Sequence, residues 1–354
     1  MSATEISAKK AKVAKVLVVR FSSMGDILLT TPVLRAVHDL LEGEVELHFL
    51  TKAEFAPLVE GLEAVQKVHV IQRTTAEVQA ALVAEGFHYL LDLHSNARSA
   101  FIRRALRKDG TVDFVVDKRN VAKWKLVRGL SNELAGEPIV DRYLKTLAAF
   151  GGAQWDDGCG LDLPPLLNVE NSTGTLRDLG SGPFVALALG AAHKGKAVPL
   201  EHWVEVITRL HAAGRSVVLL GGPEDRTMGE EISTRCSGEG EERLVNLAGH
   251  LRLLESFSVL SKASVLVAGD TGLMHAGAAA GVPMAVVWGC TAPALGMGPY
   301  RPGAKVVELE PQGRKQVGGA RRPCSKLGNR CRYKTPCIET VSPDQIADAV
   351  LALS

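Results

Sequence analysis

With 354 residues, 46% of them apolar, 23% charged and a net charge of only +2, the chain has ample material for buried cores. That excludes a disordered or fibrous protein, and the length favours two domains over one. The charge is unevenly spread: ten Lys/Arg oppose three Asp/Glu from Arg98 to Arg128, and ten oppose Glu308 and Glu310 from Arg301 to Lys334.

The opening MSATEISAKKAKVAK is charged and the apolar run after it is brief, so neither a signal peptide nor a membrane span is expected and a cytoplasmic chain is. Strands are predicted at Lys15 to Val19, Val45 to Leu50, Lys67 to Val70, Tyr89 to Leu93 and Val112 to Val116. Helices are predicted at Val33 to Leu41, Ala76 to Glu85 and Asp141 to Phe150. Gly151 to Pro183 is rich in Gly, Pro and Asp, a linker composition. The alternation then restarts, with strands at 184–190, 216–222, 244–246, 264–270 and 283–289 and helices at 201–214, 224–236, 253–263 and 273–281. VSPDQIADAVLALS reads as a capped helix, with Ser342 as N-cap and Gln345 completing a capping box. Such alternation predicts an α/β protein of two doubly wound, Rossmann-like domains with an interdomain cleft. The expected divisions are 1–165, a linker 166–182, a second domain 183–341 and a C-terminal helix 342–354.

Ligands of open α/β sheets sit at the carboxyl ends of strands. In RFSSMGDILLTTP, Gly25 allows close backbone approach and Asp26 is either a helix cap or a carboxylate base, with Ser23 beside them. In VLVAGDTGLMHAGAAAG, a strand turns through Asp270, Thr271, Gly272 and Leu273 into a small-residue helix whose free amides suit a diphosphate. Asp270 is placed to accept hydrogen bonds from sugar hydroxyls, and His275 is either a phosphate partner or a packed imidazole. Lys194 and Lys196 follow another buried strand, where a cation can neutralise a departing diphosphate. Glu224 and Asp225 follow a third, as ribose ligand or helix cap. LDLHSNARS offers His94, Asn96 and Arg98 beside the first basic stretch. That stretch is either a solvated face or a site for anionic partners, and its few aromatics argue against nucleic acid.

Six cysteines in so long and apolar a chain are expected as reduced thiols. Cys324, Cys331 and Cys337 have no C-x-x-C pair and no histidine among them, so no metal site and no cofactor are expected. A dinucleotide-dependent oxidoreductase would carry G-x-G-x-x-G after a strand, and none is found. An exported solute-binding protein would carry a leader.

Over nearly its whole length the chain resembles glycosyltransferase family 9, the ADP-heptose:lipopolysaccharide heptosyltransferases. The likeness rests on Arg20 to Asp26 as [RS]-x-S-x-G-D, on Asp270 to His275 as D-T-G-x-x-H, and on Lys196 three residues ahead of Pro199. Cys331 with Cys337 resembles the family's C-terminal loop. Two departures are Ala197-Val198 before that proline, where the family has tryptophan, and the hydroxyl-free Gly190-Ala191-Ala192. The resemblance implies a GT-B fold and inverting transfer of heptose from ADP-heptose to the Kdo or heptose of a lipid A-linked inner core, at the cytoplasmic face of the inner membrane. It implies Asp26 as general base, Lys196 and the Thr271–Leu273 backbone at the diphosphate, Asp270 near the sugar and Glu224 at the ribose. Ser23, Gly25, His94, Asn96 and Arg98 would face the acceptor. A nucleotide-sugar 2-epimerase, or a transferase using another sugar nucleotide, is the rival on the same fold.

Overall fold

A computed structural model describes residues 13–134, 136–167, 182–191, 193–237 and 243–354. The charged N-terminal segment up to residue 12, residues 168–181 of the expected linker, and Ala192 lie outside the described residues. The described chain divides into two compact units. One holds the residues up to Lys118 together with Ile139–Pro165, and the other holds Arg119–Pro138 and Leu166–Ser354.

The first unit is a five-stranded parallel sheet of β1 (Val13–Val19), β2 (Glu44–Lys52), β3 (Lys67–Ile71), β4 (Tyr89–Asp92) and β5 (Val112–Val115), in the order β3-β2-β1-β4-β5. The apolar run Val16–Val19 is buried on both faces, as a central parallel strand requires. Val19 stands opposite Leu50 on β2 and Asp92 on β4, so β1 and β4 end at one level. Helices α1 (Met24–Leu28), α2 (Thr31–Leu40), α3 (Ala76–Ala84) and α4 (Ala97–Lys108) connect the strands. Leu17, Val19, Phe21, Leu90, Ile102 and Leu106 share one core.

The second unit begins with α5 (Asn120–Arg128), which the sequence places in the first domain. Its Ala122 and Leu126 pack with Ala292, Ala294 and Leu295, and Arg322 Nε donates to the carbonyl of Val127 at 2.8 Å. The chain then returns to the first unit for α6 (Ile139–Leu144). The single helix expected from Asp141 to Phe150 is instead α6 and a 3-10 turn, Lys145–Phe150. Gly151 at φ 90° ends that turn, and tightening the last turn is a common way to satisfy terminal carbonyls.

The six-stranded parallel sheet of this unit comprises β6 (Phe184–Ala188), β7 (Ser216–Leu220), β8 (Leu244–Asn246), β9 (Val265–Ala268), β10 (Met284–Val287) and β11 (Val306–Leu309). Their order is β11-β10-β9-β6-β7-β8. Helices α7 (Leu200–Ala212), α8 (Arg226–Arg235), α9 (Leu253–Leu260) and α10 (Gly272–Ala279) lie between strands. β11 and an antiparallel hairpin, β12 (Gln316–Val317) with β13 (Ala320–Arg321), are additions to the sequence reading. The terminal helix α11 (Pro343–Leu353) is capped as expected: Ser342 Oγ accepts from Gln345 N and Gln345 Oε1 accepts from Ser342 N. It lies against α7, β9 and β10, with Ile346 and Val350 in the same core as Trp203. Two Rossmann-like sheets in one chain satisfy the GT-B expectation.

Candidate active site

Each sheet reverses its winding at one place, between β1 and β4 in the first unit and between β6 and β9 in the second. At such a switch point the loops leaving neighbouring strands diverge and open a space for ligand. Most of the candidate residues gather at these two places, while Glu224 and Asp225 follow β7, the strand beside β6.

In the first unit, Arg20 leaves β1 with only 8% of its surface exposed. Its Nη1 donates to the Leu93 carbonyl, its Nε donates to the Ser22 carbonyl, both at 2.7 Å, and its Nη2 lies 2.6 Å from Asp26 Oδ2. Asp26 is the third residue of α1, where Oδ2 also accepts from the backbone N–H and hydroxyl of Ser23 at 3.3 and 3.0 Å. The cap expected of Asp26 is therefore present, yet 22% of its side chain reaches solvent. Gly25 is buried beneath it and Ser23 is exposed.

His94 leaves β4 with its ring 4.9 Å from that of Phe21. Burial first, then the cations Arg20, Lys118 and Arg98, hold its pKa down at about 4, with Asp26 pulling the other way. It is a neutral imidazole at pH 7. Asn96 caps α4, its Oδ1 accepting from Ser99 N at 3.0 Å, while Arg98 is exposed on the first turn. Asp92 fixes this exit: Oδ1 accepts from the N–H groups of His94 and Ser95, and Oδ2 lies 2.9 Å from Arg103 Nε.

Three neighbours escaped the sequence reading as separate contributors. Arg20 anchors the Asp26 carboxylate. Tyr143 is fully buried beside them, with Arg20 5.8 Å from its ring centre, and burial raises its phenol pKa. Lys118 has its pKa lowered by burial, then by Arg20. The Arg in RFSSMGD was a visible signal; Tyr143 and Lys118 lie far along the chain and carried none. The basic stretch is also less basic than it reads. Arg103 and Arg107 pair with Asp113, Arg119 pairs with Glu133, and the stretch is divided between the two units.

In the second unit, β6 runs into a loop whose Lys196 Nζ lies 2.7 Å from Asp270 Oδ2 at the exit of β9. Both side chains are largely buried. Gly269 makes this approach possible, because a Cβ there would stand 2.7 Å from the Lys196 carbonyl oxygen. Thr271 is the N-cap of α10, accepting from Met274 N at 3.4 Å, and Gly272 and Leu273 open the helix. The first amides of α10 thus stand beside the Lys196–Asp270 pair, with the positive end of the helix dipole. His275 is 2% exposed, on the buried side of α10 with Met274 and Ala276, as a packed imidazole would be. At the exit of β7, Glu224 is exposed, while Asp225 is buried and accepts from Gly222 N at 2.8 Å as a cap. Burial raises the Asp225 carboxyl. Lys194 is exposed beside Lys196.

All six cysteines are free thiols. Cys324, Cys331 and Cys337, which the sequence offers as three, are joined by a fourth, Cys290, at the exit of β10. The four sulfur atoms lie within 4.8 Å of one another. Spacing along the chain hid the fourth member, since β11 and the hairpin intervene.

Comparison with known proteins bears on the family and the fold. The family model described as glycosyltransferase family 9 (heptosyltransferase) matches residues 75–323. Lipooligosaccharide heptosyltransferase 2 of Haemophilus influenzae is 34% identical over 116 residues, which are 32% of this chain and 34% of that protein. The match therefore spans about a third of the curated relative's length. Among solved structures, the family 9 glycosyl transferase of Veillonella parvula superimposes with a TM-score of 0.72 at 16% identity, covering 96% of this chain and 97% of that one. The ADP-heptose lps heptosyltransferase II of E. coli gives 0.69 at 18% identity, covering 96% and 98%. At these identities the superpositions establish the fold alone.

Proposed function

Because the chain belongs to glycosyltransferase family 9, we propose that it transfers heptose from ADP-heptose to a Kdo or heptose of the lipopolysaccharide inner core, with inversion at the anomeric carbon. The observation that carries this reading is the Lys196–Asp270 pair beside the free amides of α10, at the switch point of the second sheet.

Asp26 accepts the proton of an acceptor hydroxyl as that oxygen attacks the anomeric carbon from the face opposite the diphosphate. The bond from that carbon to the diphosphate oxygen breaks and ADP departs as an anion. Lys196 has three N–H donors, so it can keep Asp270 while turning toward the phosphates, and the amides at Thr271 to Leu273 share the growing charge. Glu224 stands exposed for the ribose. Arg98, His94 and Lys118 give the acceptor side a cationic and a neutral hydrogen-bonding partner for phosphate and carboxylate groups.

The acceptor is lipid-linked, and α5 supports a peripheral contact with an anionic leaflet. Val121 and Trp124 are 68% and 45% exposed beside Lys125 and Arg128, a pairing suited to a charged membrane surface. No helix among the described residues is long and apolar enough to cross a membrane.

The test is incubation of the purified chain with ADP-heptose, and in parallel with UDP- and GDP-sugars, on lipopolysaccharides truncated at Kdo or at the first heptose. Mass spectrometry of the lipid should show one added heptose from the ADP donor. Transfer from another nucleotide sugar only, or release of a free or isomerised sugar without acceptor, would overturn the reading.

A further inference from the structure

The geometry points to a tetrathiolate metal site: we propose that Cys290, Cys324, Cys331 and Cys337 bind one Zn²⁺ or Fe²⁺, and that this site holds the loop against which Lys196 is positioned. The four sulfurs come from separated parts of the second unit, yet all lie within 4.8 Å of one another. Cys324 and Cys337 are 3.3 Å apart and Cys331 and Cys337 are 3.7 Å apart. A tetrahedral metal with bonds of about 2.3 Å to sulfur sets a ligand-to-ligand edge of about 3.8 Å, whereas a disulfide needs about 2.05 Å. The cluster has the size of the first arrangement. Four sulfur ligands without nitrogen or oxygen select zinc or iron over magnesium, calcium or manganese.

The surrounding chain gives the site a purpose. Between Cys324 and Cys337 there is no helix or strand. This segment contributes only Cys331 and Tyr333 to the small cluster around the sulfurs, and its one aliphatic side chain, Leu327, is 58% exposed. Such a loop has little apolar surface with which to fix itself, which is the situation in which a metal supplies the order that a core does not. Its charge is also suited to the task. Four thiolates around a divalent ion leave a net charge of −2, and Lys326, Arg330, Arg332 and Lys334 accompany them with no acidic residue between the two cysteines. Arg332 Nε donates to the Cys324 carbonyl at 2.9 Å.

The loop reaches Lys196 directly. Gly328, at φ +79°, lies so close that a Cβ there would stand 2.6 Å from Lys196 Cγ. From the other side, Cys290 N donates to the Gly195 carbonyl at 2.8 Å, and Cys324 N donates to the Cys290 carbonyl at 2.8 Å. A metal tying Cys290 to Cys324, Cys331 and Cys337 would therefore clamp the backbone on both sides of the Lys196 stem. The site itself is independent of the transferase reading; its consequence for donor binding rests on that reading.

The test begins with the full chain purified under reducing, anaerobic conditions. Elemental analysis should find one zinc or iron per chain, and a thiol reagent should reach two of the six cysteines, Cys159 and Cys236, until a chelator exposes the rest. Fe³⁺–thiolate absorption after oxidation distinguishes iron from spectrally silent zinc. Exchange with Co²⁺ should give the visible bands of a tetrahedral tetrathiolate. Cys331→Ser should lose or weaken the metal and alter those bands, and Cys159→Ser should do neither. Absence of metal together with absence of a Co²⁺ spectrum in the wild type would overturn the site, as would full retention by Cys331→Ser with an unchanged spectrum. Should Cys331→Ser fail to fold, the wild-type Co²⁺ spectrum decides. For the second part, chelation should weaken ADP binding by at least about 10-fold, with recovery when the metal is restored. Unchanged ADP binding would overturn the link to Lys196 and leave the site standing. Failure of the metal-loaded chain to bind ADP at all would count against the donor reading instead.

Discussion

Lys196 Nζ lies 2.7 Å from Asp270 Oδ2, and this ion pair joins the loops leaving β6 and β9 at the place where the second sheet reverses its winding. Its two members come from distant parts of the sequence and meet because the parallel order β9-β6 sets their strands side by side. A cation held in this way is pre-oriented for a ligand, and the surface lysine Lys194 two residues earlier is not.

Lys196→Ala should lower kcat/KM by roughly 100-fold and weaken ADP binding, because a charge meant for the leaving diphosphate is gone. It also leaves Asp270 buried without this partner, at about 1–3 kcal/mol of stability. Calorimetric titration with ADP and thermal melts check both, and Lys194→Ala should move neither by a comparable amount.

Asp26→Asn should reduce turnover by a factor of about 100 or more while ADP binding persists. The amide can still accept from Ser23, so the cap largely survives. Arg20, however, loses the charge at 2.6 Å, so a modest drop in melting temperature is expected. Steady-state kinetics beside ADP titration separate the two effects; surviving turnover would reduce Asp26 to a cap.

Gly269→Ala should destabilise the second unit by about 1–3 kcal/mol, because the new methyl would meet the Lys196 carbonyl at 2.7 Å and force one backbone to move. Since the displaced residue is Lys196, ADP affinity should fall with stability. A melt and an ADP titration on the same preparation measure the pair.

Acid should destabilise the first unit through two histidines. His69 and His94 both have pKa values near 4 in the folded chain, chiefly because they are buried, against 6.5 when unfolded. Well above pH 6.5, from about pH 7.5 upward, both are neutral in either state and contribute almost nothing to the slope. As pH falls from about 6.5 to about 4, the unfolded chain takes up protons that the folded chain refuses, and stability is lost. His94→Gln should flatten part of that slope in melts recorded from pH 7 to pH 4.

What the sequence determined is whatever short-range chemistry decides. Apolar runs such as Val16–Val19 could only be buried strands, Ser342 with Gln345 could only satisfy a helix end, and glycine-bearing exits such as Gly25-Asp26 and Gly269-Asp270 marked where loops leave the sheets. The tertiary structure alone decided what depends on distant segments meeting. It decided that α5 leaves its neighbours in sequence for the core around Ala294 and Leu295, because burying Leu126 there outweighs chain continuity. It brought Tyr143 beneath the Arg20–Asp26 pair, and it drew Arg103, Arg107 and Arg119 of the basic stretch into ion pairs with Asp113 and Glu133. It also carried Cys290 to the three later cysteines. Spacing along a chain cannot report these meetings, since the distance between two residues in space is set by strand order and not by the number of residues between them.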